Sequence, residues 1–251
     1  MFARFLRSSY RIPGFLLMSA WQLVRLRRIR NQTDGDREAL HRFYLDYIRR
    51  VQRLMGIEVI QDGELPEGPS LLMGNHRSYV DAVLMPSRKP VVFVARSESQ
   101  HWPIIGWGAT ALNTIWVNRK DKDSRRQTRE RVKERLAAGY SIVIFPEGTT
   151  YTGPDIGEYR PSMFYIAAEG QFPITPVAIE YEDPNIAWVG NDWFIPHAWK
   201  HFGRRKIRVR VKFGQTSIPT DPERARQEMH AWATRETAAM RAAFNAERNK
   251  R

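Results

Sequence analysis

Two short segments concentrate side chains suited to acid–base chemistry. The first runs Leu71-Leu72-Met73-Gly74-Asn75-His76-Arg77-Ser78-Tyr79-Val80-Asp81, with a histidine where an apolar run ends and an aspartate five residues later. Five residues turn about 500° on an ideal helix, so the two side chains cannot share one helix face. If His76 precedes a helix that Ser78 caps, Asp81 in the first turn reaches back to the ring. A carboxylate there holds Nδ1–H and stabilises the imidazolium, leaving Nε2 to remove a proton. This is a base with its orienter and no protein nucleophile, so the nucleophile is a hydroxyl on the substrate. Taken alone, the same spacing also suits a histidine that caps a helix, with Asp81 a favourable first-turn charge.

The second segment is Ile142-Val143-Ile144-Phe145-Pro146-Glu147-Gly148-Thr149-Thr150. An apolar strand runs into proline, an acid, glycine and two hydroxyls. Gly148 permits a turn with positive φ, whose backbone N–H groups suit a phosphate or an oxyanion.

Alternating elements must position these segments. Leu40, Phe43, Tyr44, Tyr47, Val51 and Leu54 recur at helical spacing over 36–55. A Pro/Gly/acidic loop over 62–69 follows, and then short apolar runs at Leu71–Met73, Val91–Ala95, Thr114–Val117, Ile142–Phe145 and Ile174–Ile179. Helical stretches intervene, clearest at Ser124–Ala138, where Gly139 supplies the cap, and a short helix is expected over 78–86. Strands alternating with helices predict an α/β fold with a largely parallel mixed sheet flanked by helices. Ile207, Val209, Val211 and Phe213 alternate with Arg208, Arg210 and Lys212, which predicts a strand with one solvated basic face. A charged helix closes the chain over 221–247.

Composition narrows the chemistry. Lys+Arg number 40 against 27 Asp+Glu, a net charge of +13, so the partners are anionic: phospholipid, nucleic acid or a phosphorylated metabolite. A hydrophobic fraction of 42% is too high for a disordered polycation. With no cysteine there is no disulfide, no thiol nucleophile and no Cys-ligated metal, and the six histidines are scattered without metal-ligand spacing.

Residues 1–30 carry seven arginines and no acid. On a helix Phe2, Phe5 and Leu6 fall opposite Arg4, Arg7 and Arg11, and Pro13 is expected to end that pattern before the apolar run from Phe15 to Val24. That run is short of the roughly 20 residues needed to span a bilayer. The pattern predicts a pair of helices lying in a membrane interface. A second interfacial contact is expected from Trp193, Phe194, Trp199 and Phe202 beside Lys200, Arg204, Arg205 and Lys206, a cluster that equally suits partial burial.

Asn75-His76 with Asp81, followed by Phe145-Pro146-Glu147-Gly148-Thr149, resembles the glycerolipid acyltransferase family, whose best-known members are the 1-acylglycerol-3-phosphate acyltransferases. Ile115-Trp116-Val117-Asn118-Arg119 and Ile174-Thr175-Pro176-Val177-Ala178 resemble two further blocks of that family, in the same order. Thr150, Trp116, Asn118 and the Tyr159-Arg160-Pro161-Ser162 segment depart from its usual residues. The resemblance implies transfer of a fatty acyl group from acyl-CoA or acyl carrier protein to the free hydroxyl, at sn-2, of lysophosphatidic acid. His76 and Asp81 would be catalytic, with the oxyanion held by backbone N–H groups near Gly148 or at the start of the 78–86 helix. Asn75, Arg119, Glu147, Gly148 and Thr149 would bind substrate, Arg119 through the phosphate. Asn75 equally suits a brace for the His76 loop, and Glu147 equally suits a group that positions Arg119 or His76. No cofactor or metal is implied beyond the thioester co-substrate. The expected organisation is interfacial helices over 1–33 and the acyltransferase domain over 34–251. The expected location is peripheral or monotopic, on the cytoplasmic face of a bacterial inner membrane with an anionic surface. The alternatives are another lysophospholipid or a lyso-aminolipid as acceptor or, in a different class, a basic nucleic-acid-binding module. No nucleic-acid motif is present, and that reading leaves both catalytic segments unexplained.

Overall fold

The structure, a computed structural model, describes residues 2–102, 104–190 and 193–250. Helices α1 (Phe2–Gln32) and α2 (Arg37–Met55) form an antiparallel hairpin ahead of strand β1 (Ile57–Asp62). The remainder runs β2 (Leu71–Gly74), β3 (Val91–Arg96), α3 (Ile105–Ala111), β4 (Ile115–Val117), α4 (Lys122–Ala137), β5 (Ser141–Ile144) and α5 (Ser162–Gly170). It closes with β6 (Ile174–Tyr181), α6 (Phe194–Phe202), β7 (Ile207–Phe213) and α7 (Pro222–Asn249). Among the described residues the strands form one seven-stranded sheet in the order β1-β7-β6-β2-β5-β3-β4. Strands β6, β2, β5, β3 and β4 are parallel, and β7 turns antiparallel to β6. The sheet is therefore largely parallel and mixed, as the alternating pattern predicts.

Side chains from opposite sheet faces build two cores. On one, Leu72, Val143, Val177 and Val209 meet Val51 and Met55 of α2 and Phe202 of α6. On the other, Leu71, Met73 and Ile142 meet Val132 of α4, Phe164 of α5 and Met229 of α7. Both faces of β2 are thus covered, which is why Leu71-Leu72-Met73 is a continuous apolar run rather than an alternating one.

Three expectations change. Pro13 does not end the first helix: α1 is continuous through it, so the N-terminal hairpin is α1 with α2 rather than two helices within 1–33. Tertiary contacts offset the lost backbone bond. Arg11 donates to the carbonyls of Phe202, Arg204 and Arg205 at the end of α6, and Ser19 and Tyr47 are 2.9 Å apart across the hairpin. The helix expected over 78–86 is a single 3₁₀ turn, Tyr79–Val83. The basic face of β7 is not left to solvent, because α7 lies along it. Glu247 pairs with Arg208 and Arg210, Glu236 pairs with Lys212, and both arginines sit over the Phe244 ring.

Along α1, Phe2, Phe5, Leu6, Tyr10, Leu16, Leu17, Trp21 and Val24 are all exposed, a single stripe at helical spacing. No helix among the described residues is long and apolar enough to cross a membrane.

Candidate active site

The central strand β2 lies between β6 and β5, and its register sets Met73 opposite Ile144. Chain segments distant in sequence therefore leave the sheet side by side at the carboxyl ends of parallel strands, the usual crevice for ligands in such sheets. His76 follows β2 there, and Glu147 follows β5.

Ser78 caps the 3₁₀ turn in extended backbone, and Asp81 is its first-turn acid. The aspartate reaches back as expected: His76 Nδ1 lies 2.8 Å from Asp81 Oδ2. That oxygen also accepts from the N–H groups of Arg77 at 2.7 Å and Ser78 at 2.9 Å. Tyr181 donates its hydroxyl to Oδ1 at 2.6 Å. A carboxylate surrounded by donors is an acceptor throughout, so Nδ1 carries the hydrogen and Nε2 keeps its lone pair. Asp81 is wholly buried while the His76 side chain is 23% exposed, so the imidazole meets solvent and the carboxylate does not. The imidazole stacks on Phe145 with centroids 4.1 Å apart, which fixes the ring plane.

Asn75 braces the end of β2. It is fully buried, its amide donates to Ile179 O at 2.9 Å, and its carbonyl accepts from Ile179 N at 2.7 Å. These bonds tie the end of β2 to β6. Glu147 is likewise buried: its oxygens accept from the N–H groups of His76 at 3.2 Å and Gly157 at 3.3 Å. Burial pushes its carboxyl up to about 8, against the opposing pull of those N–H groups and Arg77. Of the roles open to it, its hydrogen bond to the His76 N–H fits the positioning of His76.

Gly148 has φ +74°, and a Cβ there would lie 2.9 Å from Arg160 Nε. The glycine lets the turn form and lets the Arg160 side chain lie across it. Three of the backbone N–H groups at these two turns are already engaged. Gly148 N–H binds Phe145 O at 3.0 Å, and those of Arg77 and Ser78 bind Asp81. Thr149 is exposed beside this turn.

Arg119 follows the edge strand β4 and is half-buried. Burial, then the nearby charges of Arg96 and Arg160, bring its guanidinium down to about 10, so it remains charged at neutral pH. Arg96 pairs with Glu98 at 3.2 Å, whereas neither Arg119 nor Arg160 has an ion-pair partner among the described residues. Unpaired guanidiniums near one another mark a place for an anion.

The Acyltransferase family profile matches residues 53–180, about half of the chain and the whole span from His76 to Glu180. A lyso-ornithine lipid O-acyltransferase of Pseudomonas aeruginosa is 30% identical over 77% of this chain and 77% of its own length. A 1-acyl-sn-glycerol-3-phosphate acyltransferase of Neisseria meningitidis is 25% identical over 81% of this chain and 82% of its own. The chain belongs to the glycerolipid acyltransferase family. The crystal structure of the 1-acyl-sn-glycerophosphate acyltransferase PlsC from Thermotoga maritima shares its fold, with a TM-score of 0.70 over 95% of both chains at 18% identity.

In this acyltransferase a buried ion-pair chain backs the site. Arg77 contacts Glu180 at 3.2 Å, Glu180 accepts from Arg241 Nε at 2.8 Å, and Arg77 donates to Asp155 O at 2.6 Å. The acyltransferase thereby couples α7 and the 151–157 loop to the residue after His76. Sequence reasoning missed Tyr181, Arg77, Glu180 and Arg160. Tyr181 and Glu180 sit just beyond the recognisable apolar block. Arg77 reads as a surface charge until Glu180 is known to face it.

Proposed function

We propose that this acyltransferase moves a fatty acyl group from a thioester, acyl-CoA or acyl carrier protein, to the free sn-2 hydroxyl of lysophosphatidic acid. The observation that carries the reading is the His76–Asp81 pair, with Nδ1 held by a buried carboxylate and Nε2 facing the open side of the crevice. His76 takes the hydroxyl proton as the acceptor oxygen attacks the thioester carbonyl. Asp81 balances the imidazolium, which then returns the proton as the thiolate leaves. The Phe145 ring, stacked on the imidazole, keeps Nε2 aimed while it changes charge.

Arg119 and Arg160 bind the acceptor phosphate in this reading, supported by their unpaired guanidiniums. The exposed apolar stripe of α1 supports action at a membrane interface, peripheral or monotopic, and the cation excess suits an anionic cytoplasmic leaflet such as that of a bacterial inner membrane. A second acceptor, a lyso-ornithine lipid, is favoured by three relatives of that name at 30–32% identity. An ornithine headgroup offers a carboxylate in place of the phosphate, which guanidiniums also bind, together with an ammonium, which they do not.

The test is acyl transfer by the purified protein, using labelled acyl-CoA or acyl carrier protein and a panel of lysolipids, beside His76→Ala. Turnover that falls at least ~10²-fold in the variant supports the reaction, and the acceptor used names the headgroup. Absence of transfer from either donor to any acceptor by folded protein refutes it.

A further inference from the structure

Where α1 crosses the end of α6, a cavity of about 540 Å³ opens away from His76. Arg4 and Arg7 of α1 form one wall. Arg204, Arg205 and Lys206, on the turn into β7, and Arg208, on the strand, form the other, and Glu58 and Glu182 complete the lining. Six cations thus face two carboxylates.

The carboxylates do not neutralise all of the cations. Glu58 is shared by Lys206 at 2.5 Å and Arg208 at 3.4 Å, while Glu182 binds Arg208 at 2.8 Å. Arg204 is held by Asp183. Among the described residues Arg7 donates only through Nε, to Gly203 O at 2.8 Å, which leaves the rest of its guanidinium free of partners there. Arg4 and Arg205 have no side-chain hydrogen bond or ion pair among the described residues. Three guanidiniums with donors to spare therefore line one cavity, a match to phosphate geometry.

The apolar side chains nearby say which anion. Phe5, next to Arg4 in the chain, packs on Trp199 with centroids 5.7 Å apart and joins the apolar stripe of α1 to α6, at whose start Trp193 is 82% and Ile195 72% exposed. Large apolar side chains beside free guanidiniums suit a lipid surface, because the rings enter the interface as the cations meet headgroups. Helix α4 is as basic but lies on the opposite sheet face, and none of its exposed side chains is a large hydrophobic.

We infer that this cavity is a docking site for the phosphate headgroup of an anionic phospholipid, separate from the acceptor site. The inference rests on the reading that the protein works at a membrane interface. It assigns the recognition of lipid charge to Arg4, Arg7 and Arg205, and not to Arg11, which is buried against α6.

The test is flotation of the full chain with vesicles of phosphatidylcholine, alone or containing phosphatidylglycerol. Wild type is compared with Arg4→Gln/Arg205→Gln and with a control pair on α4, Arg125→Gln/Arg126→Gln. Two cations at an anionic leaflet are worth roughly thirty-fold in partitioning. The cavity pair should lose about that much on phosphatidylglycerol vesicles, keep its binding to phosphatidylcholine alone, and keep wild-type transfer to a soluble short-chain lysolipid. The α4 pair should bind as wild type does. Equal binding by the cavity pair and wild type overturns the site. Equal losses from both pairs also overturn it, by showing diffuse charge attraction. Displacement of the vesicles by inorganic phosphate at millimolar level, with chloride at equal ionic strength as control, reassigns the cavity to a free anion. Failure of wild type to float with any vesicle refutes the membrane reading itself, a result distinct from loss of selectivity alone.

Discussion

The Tyr181 hydroxyl donates to Asp81 Oδ1 at 2.6 Å, on the opposite side of the carboxylate from His76. Burial, and then the charge of Asp81, raise the hydroxyl's proton affinity well above that of a free tyrosine, so it stays a donor across the working pH range. Strand β6 therefore sets how much of the Asp81 charge reaches the imidazole.

Tyr181→Phe should remove that donor with little change of volume. The carboxylate then attracts the imidazolium more strongly, and the acid limb of the kcat/KM profile should move to higher pH by roughly half a unit to one unit. A role in packing alone would lower activity across the profile and leave the limb in place. Measurement of kcat/KM against pH in both proteins separates these outcomes.

Asn75→Ala should break both bonds to Ile179 and leave a buried N–H and carbonyl unpaired. The expected loss is about 2–4 kcal/mol in urea unfolding, with activity reduced because the His76 turn loses its tie to β6. A loss under about 0.5 kcal/mol would mean that the β2–β6 ladder holds this end without the side chain.

Glu147 bears on the pH dependence of stability. Its folded carboxyl titrates at about 8, above its ordinary value of 4.5. Its contribution is therefore complete below 4.5 and declines as pH rises to about 8, where the loss levels off. Glu147→Gln sets an amide N–H against the N–H of His76 or Gly157, which should cost about 1–3 kcal/mol near pH 4.5. Between pH 5 and 8 wild type should lose stability relative to the variant, and thermal melts of both across that range check the sign. A difference that stays constant would show that the carboxyl does not change charge there.

Arg119→Ala and Arg160→Ala should each raise KM at least ~10-fold for an acceptor with a terminal phosphate, with a smaller effect on kcat. An acceptor without the phosphate should discriminate little between variants and wild type. A fall in kcat alone would move these residues from headgroup binding to the chemical step.

The His76–Asp81 pair and most of the elements were legible in the sequence because their signals are local. The five-residue spacing of His76 and Asp81, with Ser78 between, fits one capped turn and little else. The apolar runs of β2, β3, β5 and β6 stand out because buried parallel strands have no solvent face. What surrounds the pair was decided by tertiary structure. Asn75 and Glu147 look like substrate ligands in a linear motif, since polar residues beside a catalytic histidine invite that role. Their bonds go to Ile179, Gly157 and the His76 backbone, which only the register of β2 with β6 and β5 brings within reach. Tyr181 and Arg77 carry no signal of their own, because each acquires its role from a partner about a hundred residues away. Pro13 would break a helix judged by local propensity, yet α1 runs through it because Arg11 is anchored to the end of α6. Local chemistry is written in spacing, whereas burial and pairing depend on what the fold sets opposite each side chain.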